Sequence, residues 1–221
     1  MSSISKEDVV NLRDKTGAGL IDCKRALLQS NGDLEEAISI LRKKGVASAA
    51  KKAGRDAGEG VIAPCLNVDR TKGILVEVNC ETDFVAKNQD FITFANEVAQ
   101  VLLSNPEADL EAKRTEQVAK IGENIRISRF QSLSTSGSGV VQSYVHTGSK
   151  VAVLLSLATG SIDSASDSKV GSLAKDLCMH VAATSPVCVS RDQVPAEIVE
   201  KETEIAKAQA EGKPPQAIQK I

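Results

Sequence analysis

Cys80 and His146 are the one pairing in this sequence worth weighing as a nucleophile and its base, because the chain holds five cysteines but just two histidines, His146 and His180. Neither lies in a motif. A Cys filling a strand end and a His on a helix face account for them more simply. Metal binding needs ligands at fixed spacing, and Cys23, Cys65, Cys80, Cys178 and Cys188 are far apart with no C-x-x-C pair. The Gly17-Ala18-Gly19 turn lacks the Lys-Ser/Thr of a phosphate-binding loop and follows no strand. The basic residues Lys43, Lys44, Lys51, Lys52 and Arg55 carry no interleaved aromatics for stacking on nucleic acid, so they read as a solvated helix face. Enzyme chemistry is therefore not expected. What remains is recognition, and the stretch NCETDFVAKN (79–88) is where it concentrates. With four Phe, one Tyr and no Trp in 221 residues, a Phe84 beside Asp83 just after a strand either packs inward or is displayed on a loop, and its type alone leaves both open.

The elements around these residues are legible from caps and periodicity. Ser5 N-caps a first helix with Asp8 at N3 and an Ile4–Val9 staple, and Gly17 stops it. A second helix carries Leu20, Cys23, Leu27 and Leu28 up to Asn31-Gly32. Asp33 and Glu36 open a third, with Leu34, Ala37, Ile38 and Leu41 on one face and Arg42, Lys43, Lys44 and Gly45 at its end. The stretch 47–60 suits a helical tail running into a hinge.

A duplication follows. At an offset of 79 residues, Gly58, Gly60, Val61, Leu75 and Ala95 fall on Gly137, Gly139, Val140, Leu154 and Ala174, while Ile62, Val76, Val78 and Val98 fall on similar apolar residues. Each copy reads as strand, turn, strand, loop and amphipathic helix, the second helix carrying Val170, Leu173, Ala174, Leu177 and Val181. Between them lie a helix ending near Gly122 and a strand from Ile125. After Pro195 a charged segment with Ile198, Val199 and Ile205 reads as a further helix, GKPP as a turn, and QAIQKI as the start of a return arm.

The expected fold class is α+β: an N-terminal three-helix bundle, a duplicated core of two small antiparallel sheets with helices, and a C-terminal helical, coiled-coil-like segment. The expected segments are 1–55, 56–136, 137–190 and 191–221. A net charge of −2 exerts no global pull on nucleic acid or anionic lipid. The longest apolar run, near Val151–Leu155, is far short of the roughly 20 residues a bilayer requires, and the polar start resembles no leader, so the cytoplasm is expected.

Six strings stand in an order that resembles the elongation factor Ts family across essentially the whole chain: LRDKTGAGLIDCKRALLQSNGDLEEAISILRKKG (12–45), VNCETDFVAKNQDF (78–91), KIGENI (120–125), SYVHTGSKVAVL (143–154), MHVAATSP (179–186) and GKPPQAIQKI (212–221). The resemblance implies a guanine nucleotide exchange factor for elongation factor Tu, without bond chemistry, cofactor or metal of its own. It implies no direct contact with nucleic acid or membrane and leaves a homodimer open. By the same resemblance the three helices form a ubiquitin-associated-like domain that docks on the GTPase through Leu12, Arg13, Thr16, Gly17, Ala18 and Lys24. Ile121, Gly122 and His146 match further interface positions. Thr82, Asp83, Phe84 and Val85 match the motif whose Phe wedges near the partner's magnesium and phosphate site. Family members usually continue past GKPPQAIQKI, so a shortened hairpin with Ile198, Val199 and Ile205 partly uncovered is expected. The competing reading is an adaptor whose three-helix bundle binds partners irrespective of nucleotide.

Overall fold

In the computed structural model of the protein, which describes residues 4–210, Ser5 begins the first helix, α1 (Lys6–Thr16), by a reciprocal capping box. Its hydroxyl accepts from the Asp8 N–H at 3.0 Å while the Asp8 carboxylate accepts from the Ser5 N–H at 3.0 Å. Gly17 closes α1 in the left-handed conformation, φ 66°. With α2 (Leu20–Gln29) and α3 (Leu34–Lys52) it forms a bundle around Leu12, Cys23, Ala26, Leu27 and Ala37, against which Ile4 and Val9 pack. The inward stripe of α2 is narrower than expected. Cys23, Ala26 and Leu27 fill it, whereas Leu20 and Leu28 stand exposed on the Leu27 flank, Leu28 turned about 100° beyond Leu27.

The basic run before Gly45 predicts a helix end there; α3 instead runs on to Lys52. Gly45 is buried within it because α6 (Glu111–Ile121) passes close by, and a Cβ on Gly45 would lie 3.1 Å from the Cβ of Ala119. The glycine serves close approach of two helices rather than termination.

Strands β1 (Glu59–Leu66), β2 (Lys72–Cys80) and β3 (Arg126–Ser134) form an antiparallel sheet in that order, and β4 (Gly139–Val145) with β5 (Ala152–Ala158) forms a second. The 79-residue offset extends to the pairing: Val61 faces Val78 in one hairpin and Val140 faces Leu157 in the other. The following helices repeat too, as the one-turn α4 (Asp83–Ala86) and α5 (Gln89–Ser104), then α7 (Ile162–Ala165) and α8 (Ser168–Thr184). Each hairpin carries a glycine at or next to the start of its first strand for the same reason. A Cβ on Gly60 would lie 2.2 Å from the Val78 carbonyl oxygen, and one on Gly139 would lie 2.6 Å from that of Leu157. Gly60 also has φ 147°, which side chains disfavour. Gly60→Ala is therefore expected to destabilise the fold by ~1–3 kcal/mol in urea titrations; an unchanged midpoint would show that the strand yields.

Helix α5 lays Phe91, Phe94, Ala95, Val98 and Leu102 over Val76 and Val78, and each large side chain fully buried there contributes about 1.5–3 kcal/mol. The second copy is thinner. In α8 the buried residues are Ala174 and Cys178, and Leu173, expected on the inner stripe, is 51% exposed.

The contacts divide the chain into two units, Met1–Ala182 and Ala183–Ile221. In the second, a 3-10 turn (Arg191–Gln193) precedes α9 (Ala196–Ala210), which starts one residue after Pro195 and leaves Ile198, Val199 and Ile205 partly exposed. The expected GKPP turn and return arm lie outside the described residues. Among the described residues no helix is long and apolar enough to cross a membrane.

Candidate functional site

Where β2 ends at Cys80, a loop is the simplest expectation, but the chain makes the one-turn helix α4. Thr82 is its N-cap, the hydroxyl oxygen accepting from the Val85 N–H at 3.3 Å. Helical geometry then sorts the side chains. Val85 packs against the core and Ala86 is buried, so the two residues before them turn outward, and Phe84 is 82% exposed. Of the two readings open for Phe84 in the sequence, the inward one is excluded.

The turn is held from the side by Glu123, just after the glycine that ends α6. One carboxylate oxygen of Glu123 accepts from the N–H groups of Glu81 and Thr82, both at 3.0 Å, and the other accepts from the Thr82 hydroxyl at 2.6 Å. Glu81 answers in kind, its carboxylate accepting from the Asn124 N–H at 2.6 Å and from Arg55 at 3.4 Å. Asn124, 1% exposed, donates its side-chain amide to the carbonyl of Arg55 at 2.8 Å, which fixes the stretch after α3 to the same corner. The bonds of Glu123 to Glu81 and Thr82 and of Glu81 to Asn124 are charge-assisted and span more than 40 residues of sequence, so they leave no local periodic signal. Sequence reasoning therefore found Ile121 and Gly122 but missed Glu123, although it lies in the KIGENI string that drew attention to its neighbours.

Asp83, exposed beside Phe84, accepts from the Lys87 ammonium at 2.7 Å, one helical turn on. That hydrogen bond holds the Asp83 carboxyl below the ordinary aspartate value. Because the folded-state value is depressed, the contact steadies α4 above the ordinary aspartate pKa and is lost as pH falls through the lowered value. Lys87→Ala is expected to move the Asp83 titration midpoint upward, as followed by NMR of its carboxyl carbon; an unmoved midpoint would assign the depression to another group.

The other matched positions border this corner on both sides. Ile121 packs against the core and Gly122, φ 89°, ends α6 with an exposed backbone. On the bundle side, a Cβ on Gly17 would lie 3.2 Å from the Lys120 side chain, so the α1–α2 turn rests on the stem of Ile121's neighbour. Arg13, Gly17 and Lys24 are exposed there, Thr16 and Ala18 are half-buried, and Leu12 is fully buried. Leu12 thus supports the turn from beneath, with its carbonyl accepting from the Thr16 hydroxyl at 2.7 Å. On the opposite side, the turn after β4 carries an exposed His146 whose Nδ1 lies 2.9 Å from the Tyr144 hydroxyl. Its Ser149 carbonyl accepts from the Ile62 N–H at 2.8 Å and its Lys150 pairs with Glu59, which faces Cys80 across the sheet end. Contacts thus tie the α1–α2 turn to Lys120 beside Ile121 and Gly122, the Thr82 turn to Glu123, and the loop after β4 to the β1 edge near Glu59.

Nucleophilic chemistry finds no support at this corner. Burial, reinforced by the Glu123 charge, pushes the Cys80 thiol up to about 11, so it is neutral near pH 7, and its Sγ contacts the Thr82 carbonyl at 3.2 Å. Among the described residues no group of three or more His, Cys, Asp or Glu side chains is placed to hold a metal.

A family model described as "Elongation factor TS" matches residues 81–221. Over 234 residues the chain is 44% identical to the elongation factor Ts of Thioalkalivibrio sulfidiphilus (strain HL-EbGR7), covering 99% of this chain and 76% of that protein. It is 45% identical over 240 residues to that of Prosthecochloris aestuarii (strain DSM 271 / SK 413), covering 100% and 81%. The elongation factor Ts of Clostridium perfringens (strain SM101 / Type A) is 44% identical over 234 residues, covering 99% and 76%.

Proposed function

Because this chain belongs to the elongation factor Ts family, and is thus a translation elongation factor, we propose that it binds elongation factor Tu and promotes release of GDP by inserting Phe84 near the magnesium and phosphate site of that GTPase. The observation that carries this reading is an aromatic ring 82% exposed on a turn whose backbone is tied down. Such a ring offers large, rigid apolar area at little entropic cost on binding, which suits a wedge. Asp83 beside it supplies a charged contact that sets the register of insertion. Arg13, Gly17 and Lys24 are the proposed contacts of the ubiquitin-associated-like segment 1–55, with Thr16 and Ala18 shaping the turn over Leu12. Ile121, Gly122 and His146 extend the contact across the core segments 56–136 and 137–190; the last segment, 191–221, is assigned to a helical arm. The compartment proposed is the cytoplasm, where translation takes place.

Exchange of this kind breaks no bond in either protein. A factor that binds nucleotide-free Tu more tightly than the GDP form must weaken GDP by the same ratio, and excess GTP then fills the vacated site. A coupling of ~1–3 kcal/mol corresponds to roughly 5- to 150-fold. The experiment that tests the reading is calorimetric binding to elongation factor Tu at increasing GDP. Affinity that falls as GDP rises supports exchange, whereas affinity indifferent to GDP transfers the role to a nucleotide-insensitive adaptor built on the three-helix bundle.

A further inference from the structure

We infer that Glu123 is a positioning residue for the proposed wedge, holding the Phe84 turn in its outward geometry through the start of α4 rather than touching the partner itself; this rests on the exchange reading above. The inference comes from how the three hydrogen bonds are spent. All three end on the backbone of Glu81 and Thr82 or on the Thr82 hydroxyl, the residues immediately before α4. The same hydroxyl that donates to Glu123 accepts from the Val85 N–H, so Glu123 fixes the rotamer of the N-cap as well as the path of the chain entering it. A four-residue helix cannot hold itself in water, since one turn repays little of the cost of ordering it. Its inner side is secured by Val85 and Ala86 on the core, and its entry is secured by Glu123. Phe84 itself has no such anchor, being largely exposed. Its aim is thus inherited from the residues on either side.

The crossed arrangement gives a second consequence. Glu123 on the α6 corner grips Glu81 and Thr82, while Glu81 grips Asn124 on that corner. Ile121–Gly122 and Asp83–Phe84, two matched interface elements remote in sequence, are therefore bound into one body. A partner that seats on the first meets the second at a set position, without paying to order it.

The test compares the parent chain with Glu123→Ala and Glu123→Gln. Gln keeps a carbonyl oxygen for the two backbone N–H groups and an amide that can donate to the Thr82 hydroxyl oxygen, so it restores the geometry without the charge. Two readouts are taken: NMR amide exchange in the free chain, and the rate of fluorescent GDP release from elongation factor Tu against exchange-factor concentration. For Glu123→Ala the amides of Val85, Ala86 and Lys87 are expected to lose protection while those of Ile74, Val76 and Val78 keep it. Its maximal release rate is expected to fall on the order of 100-fold, as misplacement of a reacting group by about 1 Å can cause, with a smaller change in the half-saturating concentration. Glu123→Gln is expected to recover most of that rate. Parent-like release by Glu123→Ala, or equal loss of protection in the turn and the sheet, would overturn the inference. If the parent chain itself fails to accelerate release, the exchange reading falls and the role in exchange with it, and the amide pattern alone decides whether Glu123 positions the turn.

Discussion

Phe84→Ala is expected to remove most of the acceleration of GDP release from elongation factor Tu while leaving the free chain as stable as its parent. Truncating a central aromatic anchor of an interface typically costs ~2–4 kcal/mol, which in a release rate is roughly 30- to 1000-fold. The free chain bears little of that cost, because Phe84 is 82% exposed and its neighbours Val85 and Ala86 make the contacts to the core. Substitutions at such surface positions usually change stability by no more than about 0.5 kcal/mol. A melting temperature within about 2 °C of the parent, together with the lost rate, is the expected pair of results. A variant that exchanges nucleotide like its parent would remove Phe84 from the mechanism, and one that melts much earlier would show that the ring supports the fold.

Phe91→Ala is expected to give the opposite pattern. This second Phe, in the first turn of α5, is 0% exposed and sits in the cluster with Val76, Val78 and Val98. Removing a ring from such a site loses its transfer free energy and leaves a cavity, together ~3–5 kcal/mol. For a chain of this size that lowers the melting temperature by roughly 6–20 °C, as circular dichroism would record. Exchange measured well below the transition should remain near parental, since no matched surface residue is altered. A loss under about 1 kcal/mol would mean that the site collapses around the void. The two phenylalanines lie close in sequence yet on opposite sides of the physical divide, one spent on the core and one kept out of it.

Much of that divide is legible before any coordinates. The capping box at Ser5 and Asp8, the stop at Gly17 and the stop at Gly122 follow from side-chain and backbone chemistry confined to a few residues, and all are present. The duplication was equally plain, because paired strands at one offset need matching glycines and apolar residues, and the Gly60 and Gly139 contacts explain why the glycines match. What escaped depends on partners distant in sequence. Gly45 reads as a helix end until α6 is seen against it. Leu28 and Leu173 read as core because hydrophobicity says what a residue prefers and not how much inner face the fold provides. The matched residues of the candidate site were named by resemblance, but their union was not. It depends on Glu123, Glu81 and Asn124, polar residues whose value comes from facing one another across more than 40 positions.

The most direct measurement of the central claim is stopped-flow release of a fluorescent GDP from elongation factor Tu, with and without this protein, in excess unlabelled nucleotide. The account predicts release that quickens with the concentration of this protein, saturates, and is largely lost when Phe84→Ala replaces the parent at the same concentration. Release that stays at its spontaneous rate in the presence of the folded, bound parent chain would contradict it and leave an elongation factor relative that binds without exchanging.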